Sequence, residues 1–292
     1  MEQFAQATIF GLALGGVIAV SAVGLTLSYG VTGFINFSYG ELLTIGAYAT
    51  FALAALGLPL LPAALAAVAL AGLTSVLVAR LFFEPLRDKG VLPLLITSVG
   101  VAFILQNLVQ IGFGADPQAF PAPLLRPWRL GPVFVPKAQA AIFAVALVTM
   151  LALYAMLALT LLGRKMRATA VNDALARISG VNTVATVRIT WLVSGLVAGL
   201  GGALLGAAQG SLSPTMGFRF LLVVFAATLV GGIGNPYGAM VGAIVVGLGI
   251  EYGTTYVSAD YGVAVAFVLL VTALLVRPSG ILGRSRVAAE VT

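Results

Sequence analysis

Residues 5–28 read AQATIFGLALGGVIAVSAVGLTLS, twenty-four residues without one Asp, Glu, Lys or Arg. At 1.5 Å per residue, an α-helix over this stretch is about 36 Å long, enough to cross the roughly 30 Å hydrocarbon core of a bilayer. Eight more apolar segments follow, at 36–56, 61–83, 91–113, 138–162, 189–210, 218–232, 236–256 and 262–276. None alternates polar and apolar residues as the strands of a transmembrane barrel do. Across all 292 residues, 61% are hydrophobic and 8% charged, whereas a soluble domain carries about 25% charged residues. The fold class is therefore an all-α integral membrane protein, one transmembrane domain over 1–292.

Segment 218–232 is the short one. Its apolar run from Phe220 to Val230 covers only about 16 Å as a helix before Gly231-Gly232-Ile233-Gly234-Asn235-Pro236 interrupts it. It reads as a full span or as a half-helix, which makes the bundle one of eight or nine segments. Glycines recur at intervals of four, at Gly11 and Gly15, Gly195 and Gly199, Gly202 to Gly210 through Gly206, and Gly234 to Gly242 through Gly238. Such stripes let helix backbones approach closely. The breaks Gly30-x-x-Gly33 and Gly231 to Gly234 differ, because irregular backbone at membrane depth belongs in protein or beside a water-filled path.

Charge sets the expected sidedness. Eleven of the fifteen Lys and Arg residues lie in three regions: Arg80, Arg87 and Lys89; Arg164, Lys165, Arg167, Arg177 and Arg188; and Arg277, Arg284 and Arg286. The positive-inside rule puts the 163–188 loop and the C-terminus in the cytoplasm, and the Pro-rich loop 114–137 outside. Counting spans back from the tail places the N-terminus outside too. The net charge of +6 is thus a topology signal and does not call for nucleic acid. Met1 to Gln6 carries no Lys or Arg, so a cleaved signal peptide is not expected.

Missing residues exclude chemistry. Without Cys or His there is no thiolate, no imidazole base and no ordinary zinc or haem ligand set. No P-loop motif, paired carboxylates on one helix or nucleophile elbow occurs. The chain reads as no enzyme, with no cofactor and no metal.

The candidate path residues are the few polar groups in the apolar segments. Asn36, Tyr39, Gly40 and Glu41 follow the first break, Gln106 and Asn107 lie late in the fourth segment, and Asn235 lies in the second break. Four of them have a plain structural alternative: Asn36 as a helix cap, Glu41 as a complement to the helix dipole, Gln106 and Asn107 as helix glue. In the 163–188 loop, Met166, Ala170, Ala174, Leu175 and Ile178 share one helical face, and Gly180 is a stop. One short amphipathic helix is expected there, lying on anionic membrane lipid or in a groove of a protein partner.

These residues resemble a known family. Gly24-Leu-Thr-Leu-Ser-Tyr-Gly30 with Gly33-Phe-Ile-Asn-Phe-Ser-Tyr-Gly-Glu41 is similar to the opening of LivH-type permeases of branched-chain amino-acid ABC importers. Glu84-Pro-Leu-Arg87, Pro93 to Thr97, Leu105-Gln-Asn107, the 163–188 loop, Gly231 to Asn235 and Arg277-Pro-Ser-Gly-Ile-Leu-Gly283 continue the likeness in order. The resemblance implies a bacterial inner-membrane permease subunit that imports branched-chain or related small amino acids. It also implies two cytoplasmic ABC ATPases, a second, LivM-like permease and an extracytoplasmic substrate-binding protein. The coupling helix that meets the ATPases would fall on Arg167, Asn172, Asp173, Ala174, Arg177 and Gly180. Tyr39 departs from the family's frequent His before Gly-Glu. Related permeases carry urea or short amides, and an ion-coupled secondary carrier working alone is the reading from another class.

Overall fold

The computed structural model describes residues 2–121, 127–130 and 133–283. Pro123, Arg126 and Pro132 of the Pro-rich loop, and Arg284 and Arg286 of the tail, lie outside the described residues. Helix α1 spans Glu2–Thr32, α2 Tyr39–Ala55 and α3 Leu60–Val78. A π-turn at Ala79–Phe83 and a 3-10 turn at Glu84–Lys89 carry α3 to α4, Val91–Phe113. Next come α5 (Lys137–Leu159), α6 (Leu161–Val171), α7 (Asp173–Ile178) and α8 (Thr183–Gln209). The last helices are α9 (Met216–Gly231), α10 (Pro236–Tyr256) and, after a 3-10 turn, α11 (Gly262–Val276).

Among the described residues, seven helical stretches are long and apolar enough to cross a bilayer. Outside those seven lie α2, of 17 residues, and α9, of 16, each about 25 Å long, while α11, of 15, reaches spanning length together with the 3-10 turn before it. The apolar segments read at 91–113, 236–256 and 262–276 coincide with α4, α10 and α11.

Helices α1 and α8 form the buried centre. Helix α1 lies between α10 and α8, α8 also packs on α3 and α2, and α9 lies against α10 and α2. By contrast α3, α4, α5 and α11 show large apolar side chains outward, such as Leu65, Ile104, Leu151 and Val268, as an apolar solvent requires.

The glycine stripes are where these helices meet. A Cβ on Gly202 would overlap the Leu43 carbonyl of α2, and one on Gly46 would overlap the Gly199 backbone of α8. Gly11 and Gly15 face Leu248 and Ile244 of α10. Two positions leave the pattern. Gly210 and Gly234 have φ of +68° and +85° and serve as turns, where only a residue without Cβ adopts that backbone cheaply.

Two short ribbons tie the loops. β1 (Gln118–Ala119) pairs antiparallel with β4 (Ser211–Leu212), joining the Pro-rich loop to the corner after α8. β2 (Trp128–Leu130) pairs with β3 (Val133–Val135) within that loop.

The expected single helix of the 163–188 loop is two helices. Asn172 leaves the helical region, with φ −158° and ψ 104°, and its Oδ1 accepts the Leu175 N–H at 2.9 Å. Asn competes for backbone donors in this way, so it ends α6 and caps α7. The face read as continuous is thereby divided. Met166 is buried with α6, while Leu175 and Ile178 stay exposed on α7.

Candidate functional site

The break between α1 and α2 gathers four of the candidate path residues. Gly33, at φ +74°, ends α1, and α2 starts at Tyr39 with Ser38 as its N-cap. Asn36 braces that cap: its Oδ1 accepts from Ser38 N at 3.0 Å and from Ser38 Oγ at 2.7 Å. Ser38-x-x-Glu41 has the spacing of a capping box, a signal the sequence reading passed over. The box is not made. Ser38 Oγ points to Asn36, and the Glu41 carboxyl reaches no backbone donor.

Glu41 is completely buried, with neither carboxyl oxygen hydrogen bonded, and Asn36 Nδ2 is buried and unpartnered as well. The hydroxyl beside Glu41 is that of Thr44, which accepts the Gly217 N–H at 3.2 Å and contacts Gly40 O at 3.4 Å. Burying a polar group without a partner costs roughly 1–3 kcal/mol by protein mutational data, and more for a charged one. A carboxyl kept there against that cost is a functional candidate. Gly40 supplies close packing, since a Cβ would press on the Gly217 carbonyl. Tyr39 is wholly buried and its hydroxyl donates to Ser21 O at 2.8 Å. The apolar crevice alongside, lined by Leu25, Thr26, Tyr29, Phe225 and Thr228, is too narrow for water.

The other candidates lie apart from it. Asn107 is exposed on α4 and its Nδ2 donates to Phe103 O at 2.7 Å, within its own helix; Gln106 beside it is half-buried. Asn235 caps α10, accepting from Tyr237 N at 3.1 Å and Gly238 N at 3.3 Å, and donates to Leu282 O at 2.7 Å in the tail.

The loop candidates form a second centre. Arg167 donates to the Leu157 carbonyl in the last turn of α5. Asp173 Oδ2 receives Arg177 at 2.8 Å, from within α7, and Arg87 at 3.1 Å, from the turn that joins α3 to α4. Gly180 has φ +82° and ends the unit. Around these charges Val171, Leu175 and Ile178 are 83%, 61% and 84% exposed, and Ala174 lies among them, exposed too.

Sequence reasoning missed the partners. Glu84 takes both Arg188 Nε and Nη2 at 2.8 Å, a two-pronged pair across 104 residues. Phe83 and Trp191 stack nearby with ring centroids 5.2 Å apart, and Phe34 meets Phe83 edge-on at 5.2 Å and Trp191 at a tilt at 6.2 Å. Both motifs were visible in sequence as separate residues, and nothing local says that they meet.

Helices of this length and apolarity around a glycine-packed centre define a multi-pass membrane protein, and two solved structures share the fold. One is described as PsaBC from Streptococcus pneumoniae in complex with Fab, with a TM-score of 0.52, 13% identity and coverage of 96% of this chain and 93% of that one. The other is an inward-facing conformation of a putative metal-chelate type ABC transporter, at TM-score 0.50 and 15% identity over 93% of this chain and 83% of that one. The family described as the permease component of branched-chain amino acid transport systems matches residues 7–274, and the chain belongs to it. Among relatives, the high-affinity branched-chain amino acid permease LivH of Escherichia coli K12 is 34% identical over 97% of both chains. BraD of Pseudomonas aeruginosa, a permease of the same description, is 33% identical over 97% of both. The ribose import permease RbsC of Escherichia coli K12 is 30% identical over 89% of this chain and 82% of its own.

Proposed function

We propose that the chain is one permease half of an ATP-driven importer of branched-chain amino acids. It is read as working with two cytoplasmic ATPases, a second, LivM-like permease and an extracytoplasmic binding protein. It supplies path and coupling but no covalent chemistry. The substrate class follows the LivH and BraD relatives, to which identity extends along nearly the whole chain. With α2 and α9 counted beside the seven long helices, the bundle has nine segments, of which α9 is the short one. The Lys and Arg asymmetry supports the 163–188 loop and the C-terminus inside, and the 114–137 loop outside.

The observation that carries the reading is the exposed apolar face of α7. A six-residue helix with Leu175 and Ile178 turned outward beside Ala174 is shaped for a groove in another protein, and its charged rim of Arg167 and Arg177 suits docking. The α1–α2 break, with Asn36, Tyr39, Gly40 and Glu41, is the assigned path region, and Gln106, Asn107 and Asn235 are its outlying candidates.

Ala174→Trp tests the docking. The larger ring overpacks the groove and is expected to abolish co-purification of the ATPases or to separate hydrolysis from uptake in proteoliposomes. Wild-type association, hydrolysis and uptake together would instead favour a helix lying on lipid, where Trp is welcome.

A further inference from the structure

Helix α7 is attached to the bundle in few places. Of its six residues only Ala176 is buried. The backbone breaks at both ends, at Asn172 by extended geometry and at Gly180 by a positive φ of 82°. Two side-chain links remain. Arg177 Nε donates to Thr183 Oγ1 at 2.9 Å, at the start of α8, and Asp173 meets Arg87 at 3.1 Å. Behind them opens a cavity of about 470 Å³ with Phe34, Phe83, Val187 and Trp191 on its wall and Arg87 and Asp173 on its lining. The helix thus has a pivot at each end and space beside it.

Arg87 stands in the turn Glu84–Lys89, which ends α3 and leads into α4. Glu84, one turn earlier, holds Arg188 of α8 through two bonds of 2.8 Å. A displacement of α7 at Asp173 therefore arrives first at a turn already fastened to three spanning helices. We propose that Arg87 is a positioning residue of the transport cycle. Through its ion pair with Asp173 it carries displacement of α7 to the α3–α4 joint, and through Glu84 and Arg188 onward to α8. This rests on the reading of α7 as the unit that meets the ATPases. Movement of packed elements between discrete positions needs such a stiff contact at the point where one element pushes another. The pair is about one-third exposed on both sides, where ion pairs add little to stability. Its loss is accordingly read in coupling and not in unfolding temperature.

The test uses the complete transporter, with both permeases, the ATPases and the binding protein, in proteoliposomes. Arg87→Ala, Asp173→Asn and the double variant are compared for amino acid taken up per ATP hydrolysed. Each single change is expected to lower that ratio by about threefold or more, and the double variant no further than Asp173→Asn, because the Arg87–Asp173 contact is lost in all three and Asp173→Asn also releases Arg177. Arg87→Lys, which keeps the charge, is expected to recover part of the ratio, with unfolding temperature and ATPase co-purification unchanged in both Arg87 variants. An unchanged ratio in Arg87→Ala, or independent losses that multiply in the double variant, overturns the relay. The two readings fail separately: Ala174→Trp with wild-type association and uptake removes the docking, whereas an unchanged ratio in Arg87→Ala with ATPases bound removes only the relay.

Discussion

The hydroxyl of Tyr39 donates to the carbonyl of Ser21 at 2.8 Å, so the first residue of α2 is fastened to the middle of α1. The close approach depends on Gly24, where a Cβ would overlap that hydroxyl. A histidine at this place would be shorter and would carry no hydroxyl to this depth. Tyr39 is thus a clasp across the break, with its donor already committed to the backbone.

Tyr39→Phe is therefore expected to lower stability by about 1 kcal/mol, the net worth of one buried hydrogen bond, and to leave the order of substrate preference unchanged. Thermal unfolding in detergent and competition uptake with a panel of amino acids measure the two effects. A changed preference would place the ring in contact with substrate.

Glu41→Gln keeps the volume of a buried side chain whose carboxyl oxygens have no partner. Unfolding temperature is expected to hold or rise, since an unpaired buried carboxyl does not stabilise the fold. Uptake is expected to fall about tenfold, equivalent to roughly 1.4 kcal/mol on the barrier. Wild-type uptake with unchanged stability would reduce Glu41 to a residue that merely fits.

Glycine contacts separate into costly and free positions. Gly202→Ala drives a Cβ into the Leu43 carbonyl, whereas Gly100 on α4 has nothing within 4 Å of its own. The first change is expected to cost about 1–3 kcal/mol by overpacking, and the second to be neutral or to gain up to about 1 kcal/mol from helix propensity. Paired melting curves of the two variants decide it.

Sidedness is tested with single cysteines in this cysteine-free chain. The exposed Ser179 serves as the inner probe and Ala119 as the outer one. A membrane-impermeant maleimide applied to intact cells is expected to label position 119 and spare position 179. Labelling of 179 would invert the topology.

What was legible in the sequence was whatever a single helix determines alone. Apolar length marked α4, α10 and α11 residue for residue, because each is bounded by glycine, proline or a polar turn. Asn172 was misread since its neighbours continue a helical period, and only its side chain's bond to Leu175 N shows the restart. The pairing of Arg87 with Asp173, 86 positions on, and of Glu84 with Arg188 depends on how α3 and α8 pack, which no local pattern encodes. Glu41 was legible as an unusual residue, but its lack of any partner was not, because Ser38 advertises a capping box that Asn36 pre-empts.

Helix α1 seats its glycines against α10, and α10 begins at Pro236, roughly 200 residues after α1 ends at Thr32. At about 5–20 residues per second of synthesis, α1 waits on the order of ten to forty seconds for its main neighbour to be made. During that interval Gly11 and Gly15 face lipid, the insertion machinery or an early helix such as α5. A ribosome pausing before codon 236 prolongs exposure of one of the two helices at the buried centre of the finished protein, so the pace of translation becomes a variable in the yield of folded permease.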